Sequence, residues 1–262
     1  MHSNANDLFD AAFDNLLSSI DKGEEQKRNT GSFTEDQWPF PDMPPREVQI
    51  RALSKGFGKQ GFGYIMRQRL GKTLTAYAEF TKLREEGLVD WMIVICPNSI
   101  KEQWRDAIEG VDMFTPIHIY NSQAKKKTEY FFRKCKTGGV FIINYESMKA
   151  FMRNEVWQNF DTVRTYLVAD ESTKIKEPNL KTTKACLELA SLCSYKRILT
   201  GKPKANSNAD LWSQLKFIDG TRRTFMQHKY YYTLTGGFQG RQIVKNINTD
   251  ILREEMSPNV YI

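Results

Sequence analysis

Between residues 46 and 200 short apolar runs alternate with longer helical patterns, and the run Met92-Ile93-Val94-Ile95 is apolar on consecutive residues. A strand with one wet face alternates apolar and polar side chains, whereas a strand covered on both faces does not, and parallel sheets are covered on both faces. Strands are therefore expected at Tyr64 to Met66, Trp91 to Cys96, Ile117 to Tyr120, Val140 to Ile143, Tyr166 to Ala169 and Arg197 to Thr200. Helices at 74–86, stopped by Gly87, and at 100–109 would cover them. The expected fold is an α/β sandwich around a mainly parallel central sheet. A chain of 262 residues with 40% hydrophobic content can bury such a core, which excludes disorder throughout.

The flanks read differently. Leu8, Phe9, Ala12, Phe13, Leu16, Leu17 and Ile20 fall on one stripe of a helix that Asn6 or Asp7 can cap, and this helix either packs back onto the domain or docks on a protein partner. Residues 21 to 45 turn polar and Pro-rich, as a linker does. Residues 1–43 hold 9 acidic and 3 basic side chains, leaving 22 acidic and 35 basic in the body. A basic body favours polyanionic partners such as nucleic acid, and lysine-rich solvated surfaces give the same balance. Near the end, Tyr230 to Leu234 and Gln242 to Val244 flank a turn with Gly236, Gly237 and Gly240, which reads as a β-hairpin followed by a short helix. The expected organisation is an acidic helix and linker at 1–43, a nucleotide-binding lobe at 44–220 and an extension at 221–262. Cys96, Cys135, Cys186 and Cys193 form no Cys-x-x-Cys pair, and the three histidines are scattered. With no secretory start and no run of 18 apolar residues, a reduced, metal-free cytoplasmic protein away from membranes is expected.

Two segments carry chemistry. Met66 to Thr73 runs from a strand into a helix, where backbone N–H groups and the helix dipole favour a bound phosphate. Gly71 admits the phosphates, Lys72 reaches the β- and γ-phosphates, and Thr73 offers a hydroxyl to Mg²⁺. Met66 stands where the usual pattern begins with Gly, and a tripeptide Gly-Lys-Ser or Gly-Lys-Thr arises by chance in roughly one chain in ten of this length. Downstream, Asp170-Glu171 closes another strand pattern. There Asp170 would hold Mg²⁺ and Glu171 would orient the attacking water, or the pair merely ends a strand and caps a helix.

Six segments in order resemble the superfamily 2 helicase-like ATPases, most closely the Swi/Snf-type DNA translocases. Arg46-Glu47-Val48-Gln49 resembles the adenine-reading glutamine motif. Arg67-Gln68-Arg69-Leu70-Gly71-Lys72-Thr73 is similar to a phage-type variant of the phosphate loop. Cys96 to Trp104 resembles the motif touching the DNA backbone, and Asn144-Tyr145-Glu146 a strand-end motif beside the nucleic acid. Val168 to Lys176 resembles the acidic motif with its Lys-Ile-Lys, and Leu199-Thr200-Gly201-Lys202-Pro203 the motif that relays nucleotide state toward DNA.

The resemblance implies a RecA-like lobe that takes ATP with Mg²⁺ through Arg46, Gln49, and Arg67 to Leu74. Lys72, Asp170 and Glu171 would be catalytic, Thr73 and Asp170 the metal ligands, and Thr200, Gly201 and Lys202 the coupling residues. Duplex DNA would be met through Lys101, Gln103, Asn144, Tyr145 and Lys149. Lys125 to Lys127 ahead of Tyr130, Phe131 and Phe132 read as a DNA face or a solvated helix, and Arg222, Arg223, Lys229, Arg241 and Lys245 as a further DNA lining. Three departures stand out: Ser172-Thr173 for the family's Ala-His, Lys202 for its Thr, and Arg69 for a loop glycine. The family also places a second RecA-like lobe after the first, with arginines contributing on the order of 10³ to 10⁵ in rate. The residues to Ile262 reach only its approach, so hydrolysis is expected to need that lobe in cis or trans. The alternative is a non-hydrolysing DNA- or protein-binding module. A P-loop small-molecule kinase leaves the downstream motifs unexplained.

Overall fold

The computed structural model describes residues 33–202, 207–236 and 242–261. The helix expected at 7–20 lies outside them. The chain runs α1 (Glu47–Gly56), β1 (Gly61–Ile65), α2 (Lys72–Glu85), β2 (Trp91–Cys96), α3 (Lys101–Glu109), β3 (Ile117–Ile119), α4 (Lys125–Lys134), β4 (Gly139–Asn144), α5 (Met148–Arg153), β5 (Thr165–Asp170), α6 (Lys181–Leu192) and β6 (Tyr195–Thr200). It continues with α7 (Trp212–Phe217), α8 (Phe225–Tyr232), β7 (Thr233–Gly236), β8 (Gln242–Asn246), α9 (Thr249–Met256) and β9 (Val260–Tyr261).

Seven strands form one sheet in the order β3-β4-β2-β5-β6-β1-β9, and every pairing in it is parallel. Side chains alternate between its faces. Met92, Val94, Val140, Ile142, Tyr166 and Val168 pack under α1 to α3, while Ile93, Ile95, Phe141, Ile143, Leu167 and Ala169 pack under α5 to α7. This two-sided burial is why the central runs are apolar at every position, as the sequence pattern predicts. The fold is the expected RecA-like α/β arrangement. Among the described residues no helix is long and apolar enough to cross a membrane.

Three details depart from the sequence reading. β1 begins at Gly61, not at Tyr64, because Gly61 to Gly63 already pair with Lys196 to Ile198; a Cβ at Gly61 would overlap the Ile218 carbonyl, and the two glycines interrupt the apolar run. Tyr230 to Tyr232 end a helix and do not open the hairpin: Thr224 and Gln227 form a capping box that starts α8, and the hairpin is β7 with β8. The Pro-rich stretch from Phe33 to Pro45 lies on the core, with Phe33, Trp38 and Phe40 buried and Phe40 stacked on Tyr77 at 5.6 Å.

A buried polar cluster fastens α2 to the sheet. Glu79 on α2 accepts from the hydroxyls of Tyr64 (2.6 Å) and Tyr166 (2.7 Å) and from Arg197 Nε (2.8 Å), and pairs with Arg197 through its second oxygen. Glu79 and Arg197 are both fully buried. Arg197 also donates to the carbonyl oxygens of Lys196 (2.8 Å), Gln60 (3.3 Å) and Gly56 (3.4 Å), so its donors are spent inside the protein.

Candidate functional site

The crossover from β1 through α2 to β2 passes over β6 and β5, so the carboxyl ends of β1, β6 and β5 stand side by side. Ile65 pairs with Thr200, and Leu199 with Asp170. That edge is where open parallel sheets bind ligands. Residues 66–73, the Asp170-Glu171 pair and the Thr200-Gly201-Lys202 segment thus stand along one edge of the sheet. The neighbour of the loop strand, however, is β6, and the acidic pair lies one strand further away. Pro203 and Arg241 lie outside the described residues.

The loop is shaped by its own backbone and by α1. Gly71 caps α2 in the left-handed conformation at φ +81°, and Arg69 adopts φ +65°. The dihedral favours glycine, and a Cβ at Gly71 would stand 2.6 Å from Gln49 Nε2, so a side chain there would also push the Gln49 amide aside. Gln49 is buried; its amide donates to the Gly71 carbonyl (3.2 Å) and accepts from the Arg46 backbone N–H (2.8 Å). Arg46 donates to the Arg69 carbonyl at 2.6 Å. Both residues therefore brace the loop from α1. Leu70 and Leu74 pack on the core beneath, while Arg67 and Gln68 are exposed. Lys72 Nζ donates to the Met66 carbonyl (3.2 Å), folding the ammonium back over the loop.

Across β6, Asp170 is buried with both carboxylate oxygens held: Oδ2 accepts from Trp104 Nε1 and Oδ1 from the Glu171 backbone N–H, each at 2.8 Å. Burial raises the Asp170 carboxyl above its ordinary value, opposed by those two donors and by the Lys72 charge. Glu171 sits in the left-handed region at φ +49° and ψ +53°, which turns the chain sharply at the strand end. An open groove of about 690 Å³ is lined by Arg67, Gln68, Glu171, Thr173, Thr200, Gly201 and Lys202. Next to it the buried Ser172 hydroxyl donates to Gln214 Oε1 at 2.7 Å, tying the acidic strand end to α7. Thr200 Oγ1 accepts from the Lys202 N–H (3.2 Å) and donates to its carbonyl (3.1 Å).

The donor set suits Mg²⁺. Thr73 would offer a hydroxyl and Asp170 a carboxylate, and among the described residues no group of three or more His, Cys, Asp or Glu side chains could hold a metal ion. One or two protein oxygens alongside phosphate oxygens are the usual Mg²⁺ arrangement.

The nucleic-acid candidates divide. β2 and β4 are neighbours, so the first turn of α3 with Lys101 and Gln103, and the end of β4 with Asn144 and the following Lys149, leave the sheet along the same edge. Gln103 and Lys149 are exposed. Asn144 is nearly buried, its amide held by Glu146 (2.7 Å) and Ser147 (2.8 Å). Tyr145 is buried, and its hydroxyl donates to the Asp170 carbonyl at 2.7 Å, so it supports the acidic pair and does not face outward. Of the hairpin cations, Arg223 pairs with Glu255 (2.6 Å) and lies over Tyr231, acting as an anchor, while Arg222 and Lys245 are exposed. On α4, Phe131 is buried and Lys125 to Lys127 are solvated or at the surface.

The sequence reading passed over the roles of Trp104, Gln214 and the Glu79–Arg197 pair. Trp104 stands inside a quoted motif, but its partner lies 66 residues away. A single Arg inside a strand otherwise buried was the one available signal for the pair.

The family model for the SNF2-related domain matches residues 66–239. Protein CHROMATIN REMODELING 24 of Arabidopsis thaliana is 26% identical over 192 residues, covering 68% of this chain and 17% of that protein. Human DNA excision repair protein ERCC-6 is 25% identical over 197 residues, covering 67% of this chain and 13% of that protein. The Sulfolobus solfataricus SWI2/SNF2 ATPase core in complex with dsDNA superposes with a TM-score of 0.68 at 23% identity, covering 86% of this chain and 45% of that core. The chain thus spans less than half of the solved core and about a sixth or less of these two relatives.

Proposed function

Because the chain belongs to the SNF2-related domain family, we propose that it is the N-terminal RecA-like motor lobe of an ATP-dependent DNA translocase, and that its hydrolysis draws on a second RecA-like lobe in cis or trans. The observation that carries the reading is the convergence of Lys72, Asp170 and Glu171 on one sheet edge, with Asp170 buried and Glu171 lining the groove beside the loop. The likeness to the Sulfolobus ATPase core, solved in complex with double-stranded DNA, supports the duplex partner.

In this reading the phosphates lie against the amino end of α2, where unpaired N–H groups and the dipole meet them. Lys72 leaves the Met66 carbonyl for the β- and γ-phosphates. Thr73 and Asp170 would hold Mg²⁺, which would supply charge neutralisation for the phosphates. Glu171 accepts a hydrogen bond from the water that attacks the γ-phosphate. Arg46 and Gln49 face the adenine only at the cost of their present bonds to the loop, so adenine binding and loop bracing share the same atoms. Lys101, Gln103 and Lys149 contact the DNA backbone without reading sequence, as a moving motor requires.

Binding and turnover separate the roles. Lys72→Ala is expected to abolish binding of a fluorescent ATP analogue. Glu171→Gln is expected to bind it as the parent does while turnover, measured with the second lobe and duplex present, falls about 10²- to 10⁴-fold. A Glu171→Gln chain with parental turnover contradicts this assignment.

A further inference from the structure

Trp104 is the large side chain that the reading above leaves without a task. It is buried on α3, and its one polar group, the indole N–H, donates to Asp170 Oδ2 at 2.8 Å. The other oxygen, Oδ1, takes the Glu171 N–H at 2.8 Å, and the Asp170 carbonyl takes the Tyr145 hydroxyl at 2.7 Å. Three donors from three elements therefore fix this residue, while a carboxylate's remaining lone pairs stay available to a cation. Burial alone would let an unbraced side chain rotate or neutralise. The same helix carries Lys101 and Gln103 in its first turn, beside the edge assigned to DNA.

We propose that Trp104 is the positioning residue of the metal-binding carboxylate: its N–H sets the plane in which Asp170 presents oxygen to Mg²⁺, and it ties that plane to the helix assigned to the DNA backbone. The inference rests on the nucleotide reading above and adds a residue that touches neither ATP nor metal. Partners that orient a metal ligand characteristically contribute 10- to 100-fold to metal affinity.

The test replaces Trp104 with 3-benzothienylalanine, which keeps the shape of the indole and puts sulfur in place of the N–H. Affinity for a non-hydrolysable ATP analogue is measured by calorimetry with Mg²⁺ and with EDTA. The expected result is an unchanged affinity in EDTA and a Mg²⁺-dependent gain reduced about tenfold or more. Trp104→Phe, with folding checked by its thermal transition, is expected to show the same selective loss. An unchanged Mg²⁺-dependent gain, or equal losses with and without Mg²⁺, overturns the assignment, since a merely structural tryptophan weakens both alike. A parent chain that binds the analogue under neither condition overturns the nucleotide reading itself and this inference with it.

Discussion

Gly71 shows how narrowly the loop is specified. Its φ of +81° already disfavours a side chain, and Gln49 closes the space where a Cβ would lie. Gly71→Ala is therefore expected to lower stability by about 1–3 kcal/mol in urea unfolding and to weaken ATP-analogue binding more than that loss explains, because displacing Gln49 unbraces the loop. A variant with parental affinity would remove Gln49 and Gly71 from the site. Lys72, Thr73, Asp170 and Glu171 could be singled out in the sequence because the role proposed for each is one that only a few residue types at a fixed offset can fill. The support for them was not legible. Gln49 reaches Gly71 across 22 residues, Tyr145 reaches Asp170 across 25, and Trp104 reaches it across 66. No local pattern encodes such pairings, and Tyr145, read as a DNA contact, has its hydroxyl occupied inside the protein.

At the scale of elements, α2 is held to the sheet by charge as well as by packing. Glu79 joins α2 to β1, β5 and β6 through Tyr64, Tyr166 and Arg197, all buried. Such a pair is weak support for stability when intact, since both ions were taken from water, but removing one partner strands the other. Glu79→Gln is expected to cost about 3–5 kcal/mol by urea denaturation, read from a shifted midpoint at constant slope. A loss under about 1 kcal/mol would mean that Arg197 finds other acceptors. The strands themselves were legible where burial is two-sided. The start of β1 was not, since Gly61 and Gly63 contribute no apolar signal, and at Tyr230 to Tyr232 aromatic β-propensity hid a helix already announced by Thr224 and Gln227.

At the scale of the whole molecule, two edges of function meet at the carboxyl side of one parallel sheet. The ends of β1, β6 and β5 carry the residues proposed for the nucleotide, and those of β2 and β4 the residues proposed for DNA. The strand order explains their adjacency: β5 borders β2 on one side and β6 on the other, so Asp170 and Glu171 stand between the two groups. Parallel pairing and sheet class follow from the apolar runs, but this order does not, since it depends on crossovers that no run records. A motor differs from a binding module by turnover. The measurement is ATP hydrolysis by this chain with and without duplex DNA, alone and with a separately made second RecA-like lobe, using Lys101→Ala with Lys149→Ala to weaken the DNA edge. The account predicts turnover that rises with duplex once the second lobe is present, falls in the double variant through weaker duplex binding, and disappears in Glu171→Gln. Duplex binding with no turnover in any combination, and a Glu171→Gln chain indistinguishable from its parent, would contradict it and leave a binding module in place of a motor.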